Sequence, residues 1–284
     1  MKDIVIMADS TCDLPIELIE KYGIIVCPLH VHLDDKDYRD GIDITVDEIY
    51  EWSDKYNKTP KTSALSPYEA EYYLGKALSL GKHVLCFTIS EKMSSCCSVL
   101  YMAVRSMDLD DRVHIIDSES LSSGIALQIL LAADLIGKGY NLNEIVSYLN
   151  FTKSKVHASF VVNELTYLYR GGRCSGLSSL IGNSFRIHPI IYVENKEMHV
   201  GKFYRGKIDK TLDKYVADLT PLLLNARRER VFITHSGMDE KIINSVKKRI
   251  ESLNYFNEVY VTRAGSIISS HCGPNTLGVL FIEN

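Results

Sequence analysis

A chain of 284 residues, 46% hydrophobic and 24% charged, has ordinary globular composition and enough length for two domains or one large one. Its formal net charge of −4 gives no general attraction to nucleic acid or to an anionic membrane. The seven cysteines (Cys12, Cys27, Cys86, Cys96, Cys97, Cys174 and Cys272) contain no CxxC pair and suggest no disulfide framework, so reduced thiols in a cytoplasmic protein are expected.

No signal-peptide pattern precedes the first element, and the chain enters a strand pattern over Ile4 to Ala8. Asp13 and Pro15 open a helix that stops near Gly23, and Ile24 to Val31 reads as the next strand. Thr45 with Glu48 and Ser66 with Glu69 are capping boxes, each starting a helix; Pro67 strengthens the second and Gly81 stops it. His83 to Ile89 and Arg112 to Ile116 read as strands, each running into a serine-rich segment and then a helix. The most apolar stretch, Gly124 to Ile136, holds Gln128 and Asp134 and is too short to span a bilayer, so no stable membrane insertion is expected. Asn141 with Glu144 starts another helix.

Beyond about residue 156 the pattern changes. A strand over Val156 to Val162 is followed by short helical pieces rich in Gly and Ser. Pro189 to Val193 and Met198 to Tyr204 then form a hairpin around Glu194-Asn195-Lys196. Strands at Val231 to Thr234 and Val259 to Thr262 flank a helix from Asp239 to Leu253, and Leu277 to Ile282 closes the chain. The expected architecture is α/β in two domains. An N-terminal domain, residues 1–155, has a mainly parallel sheet flanked by helices, and a C-terminal domain, residues 156–284, has a mixed or antiparallel sheet.

Three polar segments lie where strands end and helices begin, the rim at which open α/β sheets bind ligands. They are Lys61-Thr62-Ser63, Ser90 to Ser98 with Ser94 and Ser95 at its centre, and Ser269 to Asn275 with His271. Hydroxyls beside unpaired helix N-terminal amides suit a carboxylate or phosphate. Turn and capping roles account for the same residues equally well on composition and spacing alone.

In order along the chain, Asp9-Ser10-Thr11-Cys12-Asp13-Leu14-Pro15, Lys61-Thr62-Ser63, Ile89-Ser90-Glu91-Lys92-Met93-Ser94, Ile116-Asp117-Ser118, Gly171-Gly172-Arg173 and His271-Cys272-Gly273-Pro274 make the sequence resemble the DegV family end to end. That family includes the fatty-acid-binding subunits of bacterial fatty acid kinase. The resemblance implies a non-catalytic carrier with a long-chain fatty acid in its interior. Thr62, Ser94 and His271 would hold the carboxylate, with Ser63 and Ser95 as second choices. It also implies a separate ATP-dependent kinase subunit that phosphorylates the carboxylate, the acyl phosphate then passing to phospholipid synthesis. Arg173 and Arg205 match basic positions tied to kinase docking or to the phosphate-bearing end, and with Lys202 and Lys207 they form a local basic patch. Asp9, Ser10, Asp117 and Ser118 read as loop-shaping residues. No cofactor is implied, and a family member without a kinase partner is the alternative. Departures from the family pattern at Ala64-Leu65, Cys96-Cys97, Cys272 and Asn275 leave the pocket lining and acyl preference open.

Other chemistries find little support. Cys272 beside His271 lacks a positioned third group for a thiol nucleophile. GxSxG, GxGxxG and GxxxxGK[ST] are all missing. His30 and His32 share a strand face near Asp34-Asp35, but a solvated strand end accounts for them better than a metal does.

Overall fold

Strand β1 (Lys2–Asp9) is buried at every position from Ile4 to Asp9, which places it inside a sheet covered on both faces. The computed structural model describes residues 2–174 and 187–284. In it β1 pairs in parallel with β2 (Ile25–Cys27) and β6 (Gly81–Thr88), and β6 with β7 (Val113–Asp117), in the order β2-β1-β6-β7. Helices α1 (Ile16–Tyr22), α3 (Pro67–Leu80) and α4 (Cys96–Ser106) lie between successive strands of this sheet. The reciprocal caps expected at Thr45/Glu48, Ser66/Glu69 and Asn141/Glu144 start α2 (Val46–Tyr56), α3 and α6 (Leu142–Thr152).

The strand expected over Ile24 to Val31 is two strands. Pro28 has no N–H to continue the ladder, and beyond it β3 (His30–Leu33) joins a separate antiparallel sheet, ordered β4-β3-β5, with β4 (Lys36–Arg39) and β5 (Lys61–Ser63). This small sheet fixes Thr62 opposite Val31.

The third sheet is mixed and draws every strand from residues after 155. Its order is β10 (Glu197–Arg205), β9 (Ile187–Glu194), β8 (Val156–Val161), β13 (Leu277–Ile282), β11 (Arg230–His235), β12 (Glu258–Arg263). All neighbours are antiparallel except β11 and β12. One face packs on α8 (Ile208–Leu223) and α9 (Glu240–Glu251) through Leu212, Tyr215, Val216, Val246 and Ile250. Of the expected Gly/Ser-rich helical pieces, α7 (Leu165–Gly171) is present, and positions 175–186 lie outside the described residues.

Helix α5 (Ser123–Gly137) touches both the parallel and the mixed sheet. That position explains its apolar character on all sides. Gln128 within it donates to the Ser118 and Gly124 carbonyls, and Asp134 pairs with Arg230 of β11 at 2.7 Å. No helix among the described residues is long and apolar enough to cross a membrane.

Candidate ligand-binding site

At the end of β1, Asp9 accepts hydrogen bonds from the Thr11 amide and hydroxyl and from the Ile89 amide (2.8 Å), tying two strand ends together. The turn after β6 then presents Ser94, whose hydroxyl accepts from the Cys96 amide (3.2 Å) at the start of α4. β5 brings in Thr62 from the small sheet. The fourth contributor is the short helix α10 (Ser266–Cys272), which carries His271 and Cys272.

Two buried acids fix α10 at its first turn. Asp13 accepts from the Gly265 amide (2.8 Å) and the Ser122 hydroxyl. Asp40 accepts from the Ser266 amide (2.7 Å) and the Ser10 hydroxyl (2.7 Å). A Cβ at Gly265 would sit 3.2 Å from both Asp40 oxygens and 3.3 Å from Asp13 Oδ1, so the acids converge on one peptide. Burial pushes the Asp13 carboxyl up to about 8 against the pull of the Gly265 and Ser122 hydrogen bonds, and the nearby Asp40 and Asp9 carboxylates raise it further. Burial raises Asp40 and Asp9 as well.

These elements enclose a cavity of about 230 Å³. Thr62, Ser63, Ser94, Ser95 and His271 all line it, as does Arg173. The apolar walls, which carried no recognisable signal in the sequence, include Leu29, Met93, Leu121, Met198 and Ile268. The Thr62 hydroxyl meets His271 Nε2 at 2.8 Å. His271 Nδ1 is buried and has no hydrogen-bond partner among the described residues. Burial, and then the Arg173 charge, bring this imidazole down to about 4, so it is neutral at pH 7. A Cβ at Gly171 would lie 2.4 Å from His271 Nδ1, which accounts for glycine at the end of α7. Gly172, with φ of +65°, then caps α7 and turns Arg173 back toward the cavity, where it donates to the Gly171 carbonyl (2.7 Å) and the Met93 carbonyl (3.5 Å). Burial pushes the Cys272 thiol up to about 12, far from the thiolate a nucleophile requires.

Leu121, Ile268 and Cys272 also border a second cavity, of about 20 Å³, whose other walls include Phe160, Ala264, Gly278 and Leu280. Met198 reaches the first cavity from the β9–β10 hairpin, whose tip is bound across the rim of the parallel sheet. Lys196 pairs there with Glu91 (2.7 Å), Asp117 (3.1 Å) and Glu119 (3.5 Å), while its carbonyl accepts from Ser90 (2.6 Å).

The remaining sequence candidates lie elsewhere. Arg205 is exposed at the far end of β10, seven residues and roughly 20 Å along the strand from Met198. Lys202 is bound to Asp218, so the basic cluster expected around Arg173, Lys202, Arg205 and Lys207 does not assemble as one patch at the cavity. Ser10, Asp117 and Ser118 bond to loops, as Asp9 does, and none of the four lines the cavity. His30 is held between Asp37 and Glu69, each at 2.9 Å. His32 reaches the Ser63 hydroxyl at 2.9 Å.

The sequence profile of the DegV family, described as a family of uncharacterised proteins, matches residues 3–284. The chain belongs to the DegV family. A DegV domain-containing protein of Caldanaerobacter subterraneus is 31% identical over 284 residues, covering all of both chains. Among solved structures, a Thermus thermophilus DegV family protein described for its fatty acid binding superposes with a TM-score of 0.91 at 27% identity, over 99% of this chain and 100% of that one. Bacillus subtilis DegV, described as a fatty acid binding protein, matches at 0.85 and 27%, covering all of both chains. A stearic-acid-binding protein of Eubacterium ventriosum matches at 0.85 and 26%, over 100% of this chain and 98% of that one. The α/β architecture, with one parallel and one mixed sheet, is that of these DegV structures.

Proposed function

We propose that this chain binds one long-chain fatty acid and carries it without transforming it. The carboxylate sits against Thr62, Ser94 and His271, with Ser63 and Ser95 adjoining. The observation that carries this reading is a single cavity with hydroxyls, a neutral imidazole and a helix N-terminus on some walls and aliphatic side chains on the others. The fatty-acid binding described for the Thermus, Bacillus and Eubacterium relatives supports it.

A buried carboxylate requires hydrogen-bond donors; Thr62, Ser94 and His271 supply them, and the Arg173 guanidinium on the same cavity adds a positive charge. Each buried methylene stabilises by about 0.8 kcal/mol, so a long tail contributes on the order of 10 kcal/mol before ordering costs. A full-length tail needs more room than the first cavity gives. Leu121, Ile268 and Cys272 line both cavities, and the tail runs past them from the first toward the second.

In the cell this carrier works in the cytoplasm with an ATP-dependent fatty acid kinase. A carboxylate oxygen forms a bond to the γ-phosphorus as the bond to ADP breaks, and the acyl phosphate stays on the carrier until phospholipid synthesis takes it. Arg173 serves the phosphate-bearing end, and Arg205, exposed and distant, serves kinase docking. Residues 1–155 and 156–284 form the two domains, α10 being the second domain's contribution to the head-group site.

Solvent extraction of the denatured, purified protein followed by mass spectrometry tests the reading. A stoichiometric fatty acid is expected; a nucleotide, a metal or no ligand overturns it. Incubating the loaded protein with kinase and ATP then separates the kinase-coupled carrier from a plain lipid binder.

A further inference from the structure

A separate recess of about 400 Å³, more open than the head-group cavity, shares no lining residue with it. Its walls include Trp52 of α2, Lys58 just beyond the end of that helix, Lys61 of β5 and Arg170 of α7. Lys58 pairs with Asp34, also in the recess, at 2.7 Å. Lys61 and Arg170 are exposed and form no ion pair among the described residues. Arg170 donates only to the Asn57 carbonyl, 113 residues away in the chain, at 3.5 Å. Three fixed cations from distant segments therefore face one carboxylate across a concave space, and their mutual repulsion is only partly offset. Trp52, the only tryptophan in the chain, is half-buried and adds a flat apolar wall.

The two unpaired cations each stand next to a residue that holds His271. Thr62 follows Lys61 and meets His271 Nε2 at 2.8 Å. Gly171 follows Arg170, and a Cβ there would lie 2.4 Å from His271 Nδ1. The imidazole is thus held between β5 and the end of α7, and the recess draws on the same two segments.

We propose that this recess binds the diphosphate group of a small molecule and that the bound anion braces His271. The Arg170 guanidinium takes phosphate oxygens in its fork, while Lys58 and Lys61 act as point charges. Because side-chain cations meet the anion, no glycine-rich phosphate loop is required. The group comes either as free pyrophosphate or on a nucleoside whose base lies against Trp52. Open to solvent, the recess gives up such a ligand during purification, unlike the interior. A diphosphate bridging Lys61 and Arg170 draws β5 and α7 together across His271 and slows the exit of the acyl head group. This last step rests on the acyl-binding reading; the anion site itself does not.

The test titrates purified full-length protein with pyrophosphate and with ADP by calorimetry, in about 0.15 M salt to screen diffuse attraction. Pyrophosphate should also change the Trp52 fluorescence. Lys61→Gln and Arg170→Gln are each expected to weaken binding about tenfold, the loss of one charge-assisted contact. Tighter binding of ADP than of pyrophosphate, with the difference lost in Trp52→Leu, identifies a nucleoside diphosphate; equal affinities identify pyrophosphate. Binding of neither probe, or binding that either charge substitution leaves unchanged, overturns the site. In a second arm, a saturating probe should slow release of a fluorescent fatty acid to acceptor vesicles several-fold in the wild type and not in Arg170→Gln. An unchanged release rate despite probe binding overturns the bracing of His271. If the protein holds no fatty acid, the acyl-binding reading and the bracing fall together, and the titration still decides the anion site.

Discussion

Asp13 shows how one side chain links folding to the site. It holds the Gly265 amide at the start of the helix that carries His271, and burial raises its carboxyl to about 8. A group with a raised folded value contributes stability that is complete below its unfolded value near 4 and is lost as pH rises toward 8. Asp40 and Asp9 are shifted the same way. His271, shifted down to about 4, works in the opposite sense and costs stability as pH falls from about 6.5 to 4. Asp13→Asn mimics the protonated acid and keeps an oxygen for the Gly265 amide. Its urea midpoint is expected to fall less than that of the wild type between pH 6.5 and pH 9, whereas Asp13→Ala should lose about 1–3 kcal/mol at both. Equal slopes for Asp13→Asn and wild type would show that the carboxyl is ionised throughout.

The β9–β10 hairpin matters more than its length suggests. Asn195 and Lys196 both have positive φ, the backbone of a tight two-residue hairpin turn, and the sequence marked this turn. It carried no sign that the tip is anchored 79 to 105 residues away, at Asp117 and Glu91. Lys196→Met removes that anchor and leaves Asp117, whose side chain is 11% exposed, without its cation. The variant should lose about 1–2 kcal/mol of stability. Because Met198 lies two residues on, it should also release a preloaded fatty acid to acceptor vesicles several-fold faster. Unchanged release with lowered stability would assign Lys196 to folding alone.

Elements were legible where local chemistry defines them. Three capping boxes marked their helices correctly, and the closing strand read at Leu277 to Ile282, a continuous apolar run, is β13 to the residue. α8 was missed: its apolar residues Leu212, Tyr215, Val216, Leu219 and Leu223 follow helical spacing, but Pro221 interrupts the last turn. The small β3–β4–β5 sheet was missed because Pro28 breaks a run that reads as one strand. At the site, motif order drew attention to Thr62, Ser94 and His271, and these do face one cavity. The apolar walls stayed hidden because Leu121 or Ile268 looks like any core residue until the cavities are seen on both sides of it.

For the whole molecule, the proposed reading makes Leu121 and Ile268, which line both cavities, the point past which a longer tail has to run. Ile268→Trp at that point should cap the benefit of chain length. Affinity of the wild type should rise by up to about fourfold per added methylene, and that of the variant should level off at short chains. Displacement titrations with C8 to C18 acids check this, with circular dichroism confirming the fold, because overpacking costs about 1–3 kcal/mol. Parallel rises in both proteins would mean that the tail takes another route.

Helix α5 touches both large sheets and has no water-facing apolar side to spare. Its heredity is therefore shared. Neither half of the chain could be exchanged for a distant relative's, or expressed alone, without stripping the cover from a helix that the other half supplies.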